Sequence, residues 1–413
     1  MPSPTRRIEA FLQEEVRQTP FLVVDLDVVQ ERYRRLNGAL SSTELFYAVK
    51  ANPAPEILEL LVAQGCQFDV ASPGEIDMAL AAGAHPSQLS YGNTMKKRTD
   101  IAYAIERGVR LFSFDAAEEL DKIIDVLRCT GGTVQPNTVQ PNTMQPNTMV
   151  QPSDVVVFCR ILCDGAGSDW PLSRKFGCDV DQAVELLVAA GEHGLGLGVC
   201  FHVGSQQRNP EAYRATLAIV AHDIAHPLAE AGFWLQAINV GGGFPGRYLV
   251  GVPEPEEYGA VIECAVAELF GDRPPRLIAE PGRYLVADAG VIQSEVVLVA
   301  RKSIHDQHRW VYLDIGLFGG LAECLGEAIK YPIRSVHDAG PTGPVVVAGP
   351  TCDSADVLYE EFKYQLPLAL AAGDRVELIS TGAYTTTYSA VAFNGFPPLR
   401  AYYLPLSDDI TIS

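Results

Sequence analysis

Short apolar runs bounded by turn residues alternate, along the first two thirds of the chain, with amphipathic stretches of helical period. Eight of the runs read as strands: LFYAVK (45–50), QFDVAS (67–72), LSYGN (89–93), LFSFD (111–115), VVVFCRIL (155–162), LGVCFHVGS (197–205), AINVGGGF (237–244) and RLIAEPGR (276–283). Between them PEILELLVAQG, GEIDMALAAG, KRTDIAYAIERG, AAEELDKIIDVL, DQAVELLVAAGEHG, YRATLAIVAHDIAHPLAEAG and EPEEYGAVIECAVAELFG read as helices, several closed by glycine. Eight strands that each alternate with a helix predict an α/β fold of the (β/α)8 TIM-barrel type in preference to an open doubly wound sheet. No G-x-G-x-x-G opens a helix after the first strand, which weighs against a dinucleotide fold.

The texture changes after residue 288, where VIQSEVVLVARKS, RWVYLDIG, GPVVVAGPT, DRVELISTGAY and LRAYYLPL are β-rich with little helix between them. They predict a second, all-β domain. TPFLVVDLDVV (19–29) also reads as a strand and is assigned to that domain, because the barrel already has its eight. The expected division is a barrel over 26–288, with residues 1–25 and 289–413 forming the β domain. Within the barrel, 131–153 is a low-complexity insert in which QPNT recurs three times at a five-residue period. A proline in every unit breaks both helix and ladder, so the insert reads as a tolerated excursion on the rim opposite the chemistry.

Charge and composition narrow the function. There are 31 Lys+Arg against 51 Asp+Glu, a net charge of −20, and no basic patch with interleaved aromatics, so nucleic acid is not an expected partner. No window reaches the ~18 apolar residues of a membrane span. MPSPTRRIEAFLQEEV lacks the apolar core of a secretory signal, so a cytoplasmic location is expected. The nine cysteines (66, 129, 159, 163, 178, 200, 264, 324 and 352) are scattered, form no C-x-x-C pair and mostly sit in apolar runs, which fits a reducing compartment. Neither they nor the eight histidines show metal-ligand spacing.

A barrel of this kind carries its chemistry at the C-terminal ends of its strands, and the unusual polar residues gather there. Lys50 ends LFYAVK, Asp69 lies in QFDVAS, Arg160 sits inside VVVFCRIL, and His202 and Ser205 lie in FHVGS. Gly241, Gly242 and Gly243 close INVGGGF, and Glu280, Gly282 and Arg283 close RLIAEPGR. An amine at the end of an apolar strand is desolvated, which predicts a lowered pKa and freedom to form an imine; the plain alternative is a lysine snorkelling from the rim. The GGG turn offers N–H groups with no side chain in the way, as a phosphate cradle requires, although such turns also serve structure alone. Glu280 and Arg283 are either a pyridine-nitrogen partner and a phosphate partner, or a rim ion pair. His202 is either a plate against an aromatic ring or a satisfied core histidine. A phosphorylated aldehyde cofactor accommodates the whole set; no known hydrolase triad does.

The motifs FYAVKAN, FDVASPGEI, KFG, FHVGSQ, GGGFPG, EPGRY, GPTCDSAD, GAYT and FNGF follow one another between about residues 20 and 405. In that order they resemble the fold-type III pyridoxal-phosphate decarboxylases of basic amino acids, the ornithine branch above all. The resemblance implies an alanine-racemase-like architecture and pyridoxal 5'-phosphate as cofactor. Lys50 becomes the Schiff-base lysine, His202 the residue stacked on the ring, and Glu280 the partner of the pyridine nitrogen. Ser205, Gly242, Gly243, Gly282, Arg283 and Tyr384 hold the phosphate, while Asp69, Glu75 and Arg160 orient lysine and ring. Cys352 resembles the residue that protonates the α-carbon after CO2 leaves, Asp353 the one that grips the distal amine, and Phe393 of FNGF a wall of the substrate pocket. In the family Cys352 and Asp353 serve the neighbouring subunit, which implies a head-to-tail homodimer with shared active sites.

One departure is visible. Where the ornithine branch carries a Tyr-Asp pair after the barrel, this chain has Gly326 and Glu327, so Glu327 is expected to hold the distal amine with looser selection for chain length. The implied reaction is decarboxylation of ornithine to putrescine, a step of polyamine biosynthesis. Lysine, arginine, a shorter diamino acid or a D-enantiomer are the alternatives, and diaminopimelate is disfavoured because PTCDSAD lacks the Glu-Ser of that branch. A non-catalytic regulatory homologue and an amino-acid racemase are the rivals from other classes.

Overall fold

In the computed structural model, which describes residues 2–130, 150–170 and 175–407, eight parallel strands close into a barrel. In spatial order they are Thr43–Ala48, Gln67–Val70, Leu89–Tyr91, Leu111–Phe114, Val156–Arg160, Gly196–Cys200, Ala237–Asn239 and Arg276–Ala279, the last pairing back onto the first. All eight fall on expected runs, but most end two to five residues earlier than the apolar patterns do. The backbone beyond them leaves the ladder to form the turns at the barrel mouth; Ala48, for example, donates to the carbonyl of Pro281. All three QPNT units lie in 131–149, outside the described residues.

Side chains alternate across a strand, and that alternation builds the site. Phe46, Leu111, Phe158, Cys200, Ala237 and Ile278 pack together as a plug inside the barrel. Glycine at 198 makes room for it, since a Cβ there would lie 2.6 Å from the Phe158 ring. Two or four residues further along the same inward faces come Lys50, Arg160, His202, Asn239 and Glu280. The apolar layer therefore forms a floor, and polar side chains stand on it at the C-terminal end. Helices wrap the outside and start at readable caps: Ser72 Oγ accepts the Glu75 N–H, with Pro73 next, and Asp179 accepts the Gln182 N–H.

Apart from a two-stranded ribbon of Ser168–Trp170 and Ser205–Gln207, the remaining strands belong to a separate mixed sheet, with the order Ile333–Ser335, Arg375–Ile379, Gly290–Ala300, Arg309–Leu313, Thr342–Ala348 and Val357–Pro367. Phe21–Asp25 joins it, antiparallel to Gly290–Ala300 and parallel to Arg400–Leu404. The run read as one strand over 19–29 is divided: Asp25 accepts the Asp27 N–H and caps a helix over Leu26–Ala39. Val357–Pro367 does not show in the hydrophobic pattern, because it is an edge strand whose Glu360-Glu361-Phe362-Lys363 centre is exposed. The sheet reaches the barrel through its 380–385 loop, where Gly382 accepts from Asn52 Nδ2 at 3.0 Å and Tyr384 donates to Ala51 at 2.8 Å. Among the described residues no helix is long and apolar enough to cross a membrane.

Phe158→Ala should lower stability by about 3–5 kcal/mol, because the plug leaves a cavity that rigid strands cannot close. A clear drop in the unfolding midpoint is the expected readout.

Candidate active site

Lys50, Asp69, Arg160, His202, Ser205, Glu280, Arg283 and Tyr384 all open onto one cavity of about 350 Å3 at the barrel mouth. An adjoining hollow of about 20 Å3 is bounded by Ser205, Gly242, Gly243, Gly282 and Arg283.

Lys50 sits in the short turn Val49–Ala51 just beyond the first barrel strand, with its Nζ 3.7 Å from Asp69 Oδ2. Asp69 is buried, and its Oδ1 has no partner among the described residues. Gly92 lies against it: a Cβ at that position would stand 2.1 Å from Oδ1, so only glycine leaves the carboxylate in place. Burial disfavours the Lys50 ammonium, but Asp69, then Tyr384 and Glu280, outweigh it and hold its pKa above the ordinary lysine value. This reverses the lowered amine expected from an apolar strand. The run of apolar residues reports desolvation but not the acids that converge from other strands.

His202 accepts the Gly204 N–H at Nδ1, 3.1 Å away, which leaves the ring hydrogen on Nε2. Burial first, and then Arg160 and Lys50, hold its pKa well below the usual histidine value, so the ring is neutral. Arg160 lies over the Phe176 ring, 4.8 Å from its centroid. Glu280 Oε1 accepts from Asn239 Nδ2 at 2.5 Å, and Asn239 Oδ1 accepts the Gly241 N–H at 2.9 Å. One amide thus ties the acid to the glycine turn. Glu75 is not in the cavity wall; its Oε2 accepts the Ala71 N–H at 2.7 Å and fixes the turn that follows Asp69.

The hollow beneath is shaped by absent side chains. A Cβ on Gly242 would lie 2.6 Å from the Glu280 carbonyl and one on Gly243 2.7 Å from the Gly204 carbonyl; Gly243 also holds φ +111°, which L side chains rarely adopt. Arg283 is buried and donates to Ser205 Oγ, Tyr248 Oη and both oxygens of Glu323. Tyr384 has φ 54° and lies with its ring 5.0 Å from the Arg283 guanidinium carbon.

Four expected substrate and proton-transfer residues are not brought into this cavity by the chain itself. Cys352 is exposed and its N–H donates to Asn394 Oδ1. Asp353 is exposed and accepts the Ala355 N–H, and Phe393 packs on Phe318 beside a different cleft of about 110 Å3. Glu327 needs correction. Its carboxylate accepts three backbone N–H groups, from Glu360, Glu361 and Phe362 at 2.6–2.8 Å, so it is engaged in holding the edge strand and does not face the cavity. Asn239, Gly92 and Glu323 are site residues the sequence reading did not single out. Asn239 had a signal, as the one polar residue in an apolar strand; Glu323, in a loop rich in glycine and acid, had none.

Comparison with known proteins agrees with this geometry. The model of the pyridoxal binding domain of pyridoxal-dependent decarboxylases matches residues 26–287. The chain is 34% identical to a lysine/ornithine decarboxylase of Selenomonas ruminantium over 385 residues, 92% of this chain and 88% of that one. It is 31% identical to an ornithine decarboxylase of Schizosaccharomyces pombe, covering 96% and 87%. Among solved structures it resembles a lysine/ornithine decarboxylase from Vibrio vulnificus complexed with cadaverine, with a TM-score of 0.79, 30% identity and coverage of 96% and 95%.

Two outcomes are expected. Gly243→Val should keep the barrel's circular dichroism yet weaken pyridoxal-phosphate binding about tenfold or more in an absorbance titration, because a Cβ at this positive φ presses on the Gly204 carbonyl and displaces the turn that bounds the hollow. His202 should stay neutral as pH falls from 8 to 6 by NMR. Its folded pKa lies below the unfolded value of about 6.5, so below that pH the unfolded chain takes up a proton the folded one refuses, and stability falls on acidification. His202→Gln should remove that component of acid destabilisation.

Proposed function

The chain belongs to the pyridoxal-dependent decarboxylases that act on basic amino acids, and we propose that its preferred substrate is ornithine, converted to putrescine and CO2. The observation that carries the site assignment is that Lys50, Glu280 and the glycine-lined hollow open onto one cavity. The residues suit pyridoxal phosphate in three respects: an amine beside a buried carboxylate, an acid held by an amide, and a hollow bounded by Ser205, Arg283 and three glycines. When bound, this cofactor supplies an aldehyde for the amino group and a ring that takes up the electron pair left when CO2 departs.

In our reading Lys50 provides the amine that anchors the aldehyde, and Asp69 orients it. Glu280, steered by Asn239, holds the proton at the pyridine nitrogen. His202, neutral and with its tautomer set by Gly204, presents a flat face to the ring. Ser205, Tyr384, Arg283 and the N–H groups around Gly242, Gly243 and Gly282 receive the phosphate. Arg160 and the aromatic ring of Phe176 wall off the side facing solvent.

Proton delivery to the α-carbon by Cys352, and capture of the distal amine by Asp353, require a second copy of the chain. Both residues stand on an exposed loop outside their own cavity. Exposed Val391 and half-exposed Phe396 beside them favour burial of that face in a head-to-tail homodimer. Lysine is the second reading, favoured by one observation: with Glu327 turned to the edge strand, no acid of the neighbouring turn is left to measure the substrate's length.

Decarboxylation assays over L- and D-ornithine, lysine and arginine should show L-ornithine with the highest kcat/KM and L-lysine next; a preference for arginine would refute the assignment. Lys50→Ala should abolish borohydride-trapped cofactor and lower turnover roughly a thousandfold. Mixing inactive Lys50→Ala and Asp353→Ala chains should restore about a quarter of wild-type activity, since half the random dimers then hold one intact site of two. Independent sites would restore none.

A further inference from the structure

A buried ion pair closes one edge of the cavity. Arg283 and Glu323 have side chains only 3% and 6% exposed, and they meet end-on, Nη1 to Oε2 at 2.6 Å and Nη2 to Oε1 at 2.5 Å. The other donors of the guanidinium are also engaged. Nη1 reaches Tyr248 Oη at 2.9 Å, while Nη2 and Nε reach Ser205 Oγ at 3.0 and 3.4 Å. A guanidinium is a rigid planar fork, so gripping its Nη1/Nη2 end leaves the Nε/Nη2 edge facing Ser205 and the glycine-lined hollow. Glu323 comes from the turn Ala322–Glu327 of the sheet domain, whereas Arg283 opens a helical turn at the barrel rim. Removing the carboxylate alone would leave a desolvated cation without its counter-ion.

We propose that Glu323 is the positioning residue for Arg283: it cancels the arginine's charge within the chain and fixes which edge of the guanidinium meets a phosphate, so that phosphate is recognised by oriented donors and not by net charge. This rests on the reading of Arg283 as a phosphate partner. It assigns to the sheet domain a direct part in cofactor affinity, through a carboxylate that acts by way of Arg283. A guanidinium freed of Glu323 carries its full charge towards the hollow. It attracts a dianion more strongly but holds it in a less defined place.

The test uses the full chain freed of cofactor by dialysis against hydroxylamine and then buffer, with inorganic phosphate as probe and thermal unfolding as readout. Glu323→Gln should lower the melting temperature without phosphate. It should also bind phosphate about tenfold more tightly than wild type, with a steeper loss of affinity in rising salt. Glu323→Asp, which keeps the charge, should return phosphate affinity towards wild type. If Glu323→Gln does not fold, the double variant Arg283→Gln/Glu323→Gln leaves no buried charge unpaired and should fold with phosphate stabilisation lost. Wild type and Glu323→Gln responding equally to phosphate would overturn the role of Glu323 while leaving the hollow as a phosphate site. Phosphate stabilising neither would overturn the hollow itself, and this proposal with it.

Discussion

Charged groups can stand inside a protein only where each is paired or shares its proton, and this constraint organises the mouth of the barrel. Lys50, Arg160 and Arg283 face Asp69, Glu280 and Glu323 around a single cavity, on a floor of packed side chains that excludes water from below. The acids hold Lys50 charged, burial and then the cations keep His202 neutral, and one amide, Asn239, fixes Glu280. Because the partners come from different strands, the cluster exists only when the barrel is closed. Each pair in turn fixes the register of the turns that carry it.

Closure of the barrel is not sufficient, since two site residues belong to the sheet. Tyr384 is delivered by a loop hydrogen-bonded to the turn beside Lys50, and Glu323 by a turn whose carboxylate crosses to the barrel rim. Backbone strain marks the delivery: Ser380 and Tyr384 both have positive φ without being glycine. A few kcal/mol of such strain persists only where the surroundings over-determine the geometry, and here the Asn52 and Ala51 contacts do so. The sheet therefore helps to build the cavity at the barrel mouth.

Period-two alternation made the barrel legible, because in five of the runs an inward apolar residue of the plug is followed two or four positions on by a polar one. Lys50, Asp69, Arg160, His202 and Glu280 could be found that way without knowledge of partners. What could not be read were effects that depend on who faces whom. Desolvation of Lys50 was inferable and pointed in the wrong direction, because the carboxylates that outweigh it are 19 and 230 residues away in sequence. Gly92 carried no signal, because its role is the room it leaves for the Asp69 oxygen, 2.1 Å from where a Cβ would stand. Glu323 and Glu327, four residues apart in one acidic turn, exchanged places. The acid matched by motif holds an edge strand, and the one without a motif pairs with a buried arginine. A strand with an exposed centre, Val357–Pro367, carried no apolar signal at all.

The loss of Glu327 from the cavity bears on how selectivity arises. A pocket distinguishes substrates differing by one methylene by only about 1–3 kcal/mol unless a buried polar group is placed to be left unpaired by the wrong one. Within one chain the cavity acids are already engaged or buried beside other charges: Asp69 lies beside Lys50, Glu280 accepts from Asn239, and Glu323 is held by Arg283. None is available to measure the length of a cationic tail. Under the head-to-tail dimer proposed above, that role would pass to Asp353 on its exposed loop. On that proposal, selectivity between ornithine and lysine would depend on how rigidly the loop is seated, where Asn394 Oδ1 accepts from the backbone N–H of Cys352 next to Asp353. A change at Asn394, far from any cavity of its own chain, should alter substrate preference more than cofactor affinity, whereas a change at Glu323 should do the reverse.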